Sequence, residues 1–139
     1  MEEKFLKLLS ARRGHFVLES GHHGNLWLDL DSLFLQPAAL LPFARELARR
    51  LATYRVDAIV GPLVGGAFVA QMVAAELDVR FAFAERHVDG RDVSYAIPGS
   101  LRPHLQERTV AIVDDVINAG SATRATYAAL TALNARPVA

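Results

Sequence analysis

Thr109-Val110-Ala111-Ile112-Val113-Asp114-Asp115-Val116-Ile117-Asn118-Ala119-Gly120-Ser121-Ala122-Thr123 decides the reading of this chain. Val110 to Val113 is an apolar, mostly β-branched run between polar neighbours, which fits a strand covered on both faces of a parallel sheet. Two adjacent carboxylates close it. Strand alternation predicts that Asp114 and Asp115 point to opposite sides as the chain leaves the sheet. Asn118 to Thr123 contains nothing bulky, so a ligand can come close to the backbone. The loop opens a helix expected over Ser121–Leu133, whose free N–H groups and dipole favour an anion. Ligands of open α/β sheets bind at such strand ends. The chemistry predicted is a sugar diol on Asp114 and Asp115, a phosphate on the loop and a divalent cation close by. An Asp-Asp pair alone also fits an ordinary strand–turn–helix with Asp115 or Ser121 as a cap. A cap needs neither two acids nor a bulk-free loop, so the whole string favours a ligand site.

Upstream, Ala58-Ile59-Val60 reads as a second buried strand, Ala67 to Leu77 as a helix and Arg80 to Ala84 as a third strand. Gly61-Pro62-Leu63-Val64-Gly65-Gly66 joins the first two, either as an anion cradle or as a tight turn. His87 to His104 is mostly polar, with Gly90, Pro98, Gly99 and Pro103, and predicts a long exposed loop or β-flap. Pro37 opens an amphipathic helix reaching about Thr53, with Pro42 near its first turn, where proline is tolerated. Glu2 to Arg13 predicts a short helix from the spacing of Phe5, Leu6, Leu8 and Leu9, ended by Gly14. Two short strands, Phe16 to Leu18 and Leu26 to Leu30, flank a Gly/Asn turn. Alternating strands and helices imply a mostly parallel sheet flanked by helices, with residues 1–36 as a small N-terminal part and 37–139 as the α/β core. Pro137-Val138-Ala139 reads as the start of another strand, so the sheet is expected to be cut short there, with a partner chain over its edge.

The chain has 139 residues, the size of one domain, and 52% of them are hydrophobic, enough for a core. Fifteen basic and 15 acidic residues balance, which argues against nucleic acid or an anionic membrane as partner. The chain has no cysteine, which removes disulfides and thiolate metal sites. It has no apolar run of membrane-spanning length, and a charged N-terminus without a signal-peptide core, so a cytoplasmic protein is expected. His15, His22 and His23 show no ligand spacing and read as solvated turn residues.

Val113-Asp114-Asp115-Val116-Ile117-Asn118-Ala119-Gly120-Ser121-Ala122 resembles the phosphoribosyl pyrophosphate (PRPP) motif of type I phosphoribosyltransferases. The resemblance extends to the orotate phosphoribosyltransferase branch. Gly14-His15-Phe16-Val17-Leu18-Glu19-Ser20-Gly21 is similar to its N-terminal G-x-F-x-L-x-S-G, and Gly61 to Ala67 to its pyrophosphate-binding loop. What the resemblance implies is a type I fold with an N-terminal hood, a homodimer, Mg2+, and transfer of phosphoribosyl from PRPP to orotate. By the same resemblance Asp114 and Asp115 hold the ribose hydroxyls and, through PRPP or water, the metal. Val116, Ile117, Asn118, Ala119, Gly120, Ser121, Ala122 and Thr123 bind the PRPP 5-phosphate side. Leu63, Val64, Gly65 and Gly66 face pyrophosphate, Ser20, Gly21, Trp27 and Asn118 lie near the base, and Arg86 is catalytic. Trp27 reads equally as hood packing.

Several positions depart from the family pattern. Glu19 and Gly65 stand where the family carries Lys, and Glu85-Arg86-His87-Val88-Asp89-Gly90 replaces an Arg-Lys-Glu-x-x-Lys loop, with Arg86 the one retained charge and Arg91 a candidate substitute. Asn118 replaces a usual Thr, and the family's orotate-binding Arg lies further downstream than Ala139. The diol and 5-phosphate side is therefore expected intact and the pyrophosphate and orotate side altered. Transfer to another base, or PRPP binding without transfer, are the alternatives.

Overall fold

The computed structural model describes Phe5, residues 8–18 and residues 21–139. Glu19 and Ser20 lie outside the described residues, and so do residues 2–4, 6 and 7 of the expected first helix. The chain forms two compact units, Met1–Phe43 and Ala44–Ala139.

In the first unit, β1 (Ser10–Val17) pairs antiparallel with β2 (His23–Asp29). This corrects the sequence reading: Ser10–Arg13 were expected in a helix and are strand, paired from Ser10↔Asp29 to Arg13↔Leu26. The apolar helical spacing stops at Leu9, so nothing on Ser10–Arg13 holds a helix against the ladder that β2 offers. Gly14 ends no helix. It sits in a bulge where the register shifts between Arg13 and Phe16. Gly21, at φ +79°, turns the hairpin with its N–H on the Leu18 carbonyl at 2.8 Å.

Helix α1 (Pro37–Leu51) begins at Pro37, as read from the sequence, and passes into a 3-10 turn at Ala52–Tyr54. In the second unit, β3 (Ala58–Pro62) is the centre of a five-stranded sheet. It pairs in parallel with β4 (Arg80–Asp89) on one side and β6 (Thr109–Ile112) on the other. β5 (Asp92–Ala96) folds back antiparallel on β4, and β7 (Arg136–Pro137) lies parallel beside β6, giving the order β5-β4-β3-β6-β7. The predicted strand at the end of the chain is thus present: Val138 N–H reaches the Val110 carbonyl at 2.9 Å, and Ile112 N–H that of Ala139 at 2.8 Å. The segment from His87, read as an exposed loop or a β-flap, is a β-flap in its first part. β4 runs on to Asp89 and pairs with β5 as a flap, because Val88 and Val93 supply cross-strand partners.

Alternation along the strands builds two cores. Ile59 and Ala111 pack with Ala44, Ala48 and Leu51 of α1 and with Ala70 and Val73 of α2 (Gly65–Leu77). Ala58, Val60 and Val110 face the other way, with Ala82, Ala84 and Ile97, toward Leu130 of α3 (Ser121–Ala132). Both faces of β3 and β6 are therefore covered, which is why their sequences read as continuous apolar runs. Among the described residues no helix is long and apolar enough to cross a membrane.

Candidate functional site

The parallel strands β3 and β6 end side by side. Val113 still donates its N–H to the Val60 carbonyl at 2.9 Å, and then the chain turns away as Asp114-Asp115. Both carboxylates face the same neighbour, the Gly65-Gly66 turn that opens α2. This corrects the expectation that they diverge. β6 ends at Ile112, so strand alternation no longer governs residues 114 and 115. Asp114 Oδ1 accepts the Asp115 N–H at 3.0 Å, and Asp115 Oδ1 accepts the Val116 N–H at 3.1 Å.

Glycine is required at three points of this contact. A Cβ on Gly66 would stand 2.5 Å from Asp114 Oδ1 and 2.9 Å from Pro62 Cδ. A Cβ on Gly65 would overlap the Asp115 carboxylate, and one on Gly61 would run into the Gly66 carbonyl. A side chain at position 65 would have to displace the Asp115 carboxylate. Leu63, half-buried, donates its N–H to the Ala84 carbonyl at 2.9 Å, and Val64, exposed, precedes the first turn of α2. The Leu63–Val64 peptide is cis.

Asp114 is only partly exposed, and burial pushes its carboxyl up to about 7 from an ordinary 3.8. A hydrogen bond with the Asp115 carboxyl and that group's charge push the same way, against the Asp115 N–H. The folded protein therefore holds this proton more tightly than the unfolded chain does. Its stabilising contribution is full below about pH 4 and is lost as pH rises through about 7. Asp114→Asn, which cannot ionise, is expected to melt roughly 3–8 °C above wild type at pH 8 without metal, with the gap closing near pH 4.5. Equal melting temperatures at pH 8 would contradict the assignment.

The loop after the carboxylates follows the sequence reading. Val116 and Gly120 are half-buried, while Ile117, Asn118, Ala119 and Ser121 are exposed. Gly120, at φ +74°, is the N-cap of α3, and Ser121, Ala122 and Thr123 form the first turn, whose N–H groups have no partners within the helix. Arg124 shapes this loop, donating from Nη1 to the Ala119 carbonyl at 2.7 Å. The Thr123 hydroxyl is buried without a partner.

Arg86 lies on β4 directly across from Tyr95 of β5. Alternation puts Arg86 on the face of β4 that carries Ala82 and Ala84, and Tyr95 packs against that same core. Burial raises the Tyr95 phenol. The charge of Arg86, which also hydrogen-bonds it, opposes the rise, and the Asp114 charge adds to it. Tyr95 is thus within reach of the charges of both Arg86 and Asp114, and sequence reasoning passed over it inside a polar segment read only as an exposed loop or β-flap. The signal was the alternation of Val93 and Tyr95 across from Arg86. Of the residues expected near a base, Ser20 lies outside the described residues. Gly21 and Trp27 belong to the hairpin unit, where the Trp27 ring packs 5.8 Å from that of Phe16 and remains 38% exposed. Asn118 lies on the carboxylate loop of the second unit.

A family model described as a phosphoribosyl transferase domain matches residues 31–139. The orotate phosphoribosyltransferase of Caldanaerobacter subterraneus subsp. tengcongensis is 35% identical over 122 residues, 88% of this chain and 62% of that protein. That of Thermotoga maritima is 32% identical over 127 residues, 89% of this chain and 64% of that protein. This chain therefore spans a little over three fifths of the length of these relatives. The crystal structure of orotate phosphoribosyltransferase from Aeropyrum pernix superposes with a TM-score of 0.72 at 23% identity, covering 99% of this chain and 77% of that one. An adenine phosphoribosyltransferase from Rhodothermus marinus gives 0.73 at 18% identity, covering 98% and 81%. At these identities the two structures speak to the fold alone.

Proposed function

This chain belongs to the phosphoribosyl transferase domain family, and on that premise we propose that it binds PRPP and transfers its phosphoribosyl group to orotate, releasing pyrophosphate and orotidine monophosphate. The observation that carries the reading is the pair Asp114 and Asp115, set against the Gly65-Gly66 turn at the end of parallel strands and followed at once by the N-terminus of α3. The names of the relatives at 35% and 32% identity favour orotate as the acceptor.

In this reading Asp114 and Asp115 accept hydrogen bonds from the ribose 2- and 3-hydroxyls, and the N–H groups of residues 118–123 take the 5-phosphate. Binding energy at that remote phosphate orients the anomeric carbon. Pyrophosphate departs toward the Leu63–Gly66 turn. Arg86, held by Tyr95, is the cation of this chain that answers the charge developing on it, and losing one such donor costs about 3–4 kcal/mol of barrier. The donor set fits Mg2+: two hard carboxylates, with burial first and the neighbouring Asp115 second raising the proton affinity of Asp114, so that a cation beside them offsets the cost of its charge. Held by Asp114 and Asp115 through water or PRPP, the ion would offset the pyrophosphate charge. A homodimer is part of the same proposal, supported by exposed Val64 and Phe68, one helical turn apart, as apolar surface for a second subunit. The glycine at position 65 favours a second reading, PRPP binding without turnover.

Calorimetric titration of Mg2+·PRPP, with metal-free PRPP as control, followed by pyrophosphate release across a panel of bases, tests the proposal. Micromolar, Mg2+-dependent binding with orotate-dependent release is expected. Release with a different base would reassign the acceptor, binding without release would favour the second reading, and no binding would sink the site.

A further inference from the structure

His15 and His23 have no role in the PRPP reading, and nothing in this section depends on it. They are eight residues apart with no ligand spacing between them, yet the hairpin brings them together. The β1 bulge sets Gly14 and His15 against the single residue Asn25, because Arg13 pairs with Leu26 and Phe16 with Gly24. His15 is then the diagonal neighbour of His23 on one face of the hairpin, a relation that long side chains can span. The rings stack with centroids 4.8 Å apart at 27°, and His15 Nε2 lies 2.6 Å from His23 Nδ1. Both side chains are exposed and line a surface concavity with Arg13, Gly14, Gly24 and Asn25.

Two ring nitrogens this close can hold only one hydrogen between them. The geometry points to a bis-imidazole site in which a late first-row divalent cation takes the place of that hydrogen, which moves through solvent to the other ring nitrogen of the donating histidine, so that His15 Nε2 and His23 Nδ1 both chelate the metal through free lone pairs. Metal–imidazole bonds of about 2.0–2.1 Å place the two nitrogens of a chelate roughly 3 Å apart. Reaching that separation from the hydrogen-bonded one takes only a small tilt of two exposed rings. Imidazole selects copper, nickel and zinc over the hard cations, with Cu2+ held most tightly. Among the described residues no group of three or more His, Cys, Asp or Glu gathers around a metal position. Water therefore completes the coordination, and the site differs in kind from a four-ligand structural zinc centre. Arg13 on the rim works against the cation and keeps the affinity moderate.

The test is titration of the full chain with Cu2+, Ni2+ and Zn2+ in excess Mg2+, which competes for carboxylate sites anywhere on the chain and leaves imidazole sites to the softer ions. One equivalent should bind, Cu2+ most tightly, and the Cu2+ EPR spectrum should show two coordinated nitrogens. His15→Ala and His23→Ala should each weaken binding at least tenfold and leave one nitrogen, with unchanged thermal melting, while His22→Ala should bind as wild type. Unchanged affinity in both of the first two variants, a signal from no more than one nitrogen in wild type, or no binding would overturn the assignment and leave a hydrogen-bonded surface pair.

Discussion

Replacing Asp114 and Asp115 together by Asn is expected to abolish measurable PRPP binding while the protein stays folded. On the proposed reading each carboxylate accepts a sugar hydroxyl when Mg2+·PRPP binds, and hydrogen bonds to charged groups contribute about 1.5–3 kcal/mol each. Two of them amount to a loss of roughly a hundredfold or more in affinity. The fold should survive because neither side chain is part of either apolar core. Asn keeps the shape and can still accept the Asp115 and Val116 N–H groups that the carboxylates accept now. Removing the crowded negative charge should if anything raise the melting temperature above neutral pH, as for Asp114→Asn alone. Calorimetry with Mg2+·PRPP and a thermal melt on the same sample separate the two effects. Unchanged affinity would remove the diol from these residues, and a lost melting transition would give them a structural role instead.

Gly61→Ala is expected to be among the most damaging single substitutions in the chain. Gly61 is buried in β3, paired with Phe83 of β4. Its added Cβ would lie 2.6 Å from the Gly66 carbonyl carbon and 2.7 Å from the Ala67 N. Those atoms are backbone in the first turn of α2, so no rotamer change relieves the clash. Either α2 moves off the sheet or β3 bends away from its partners. Overpacking of this kind costs about 1–3 kcal/mol and sometimes more, a fall of roughly 5–15 °C in melting temperature for a domain of this size. Gly99→Ala is the control, because nothing lies within 4 Å of its Cβ position. A Gly61→Ala protein that melts with the Gly99→Ala control would show that α2 is not pressed on β3 at this point. If it stays folded, weakened PRPP binding would follow from the same shift, since Gly65 and Gly66 carry the contact with the carboxylates.

The elements that are buried on both sides were legible in the sequence. Ala58–Val60, Arg80–Ala84 and Val110–Val113 announce themselves because strands covered on two faces need apolar residues at every position, and glycines and prolines mark where they stop. The loop from Asn118 to Thr123 was legible for a local reason too, since small residues followed by a helix-forming run mark a tight turn into a helix start, which Gly120 makes at φ +74°. Elements held together by pairing with distant residues were not. Ser10–Arg13 carry no strand pattern, and only the β2 ladder makes them strand. The flap of β4 and β5 was legible only as one of two alternatives, because Val88, Val93 and Tyr95 are its few apolar members among polar residues, and the role of Tyr95 was not.

By itself the sequence determined the order of the buried strands and of the helices from Pro37 onward, the two acids at a strand end and the small-residue loop after them, because each is encoded by neighbours in the chain. The tertiary structure alone decided that Asp114 and Asp115 face one way, that glycine at 61, 65 and 66 leaves room for them to do so, that Tyr95 lies across from Arg86, and that His15 meets His23. These are contacts across the sheet or the hairpin. They depend on register, on where a strand ends and on how close two backbones can come, and no stretch of sequence carries those distances alone.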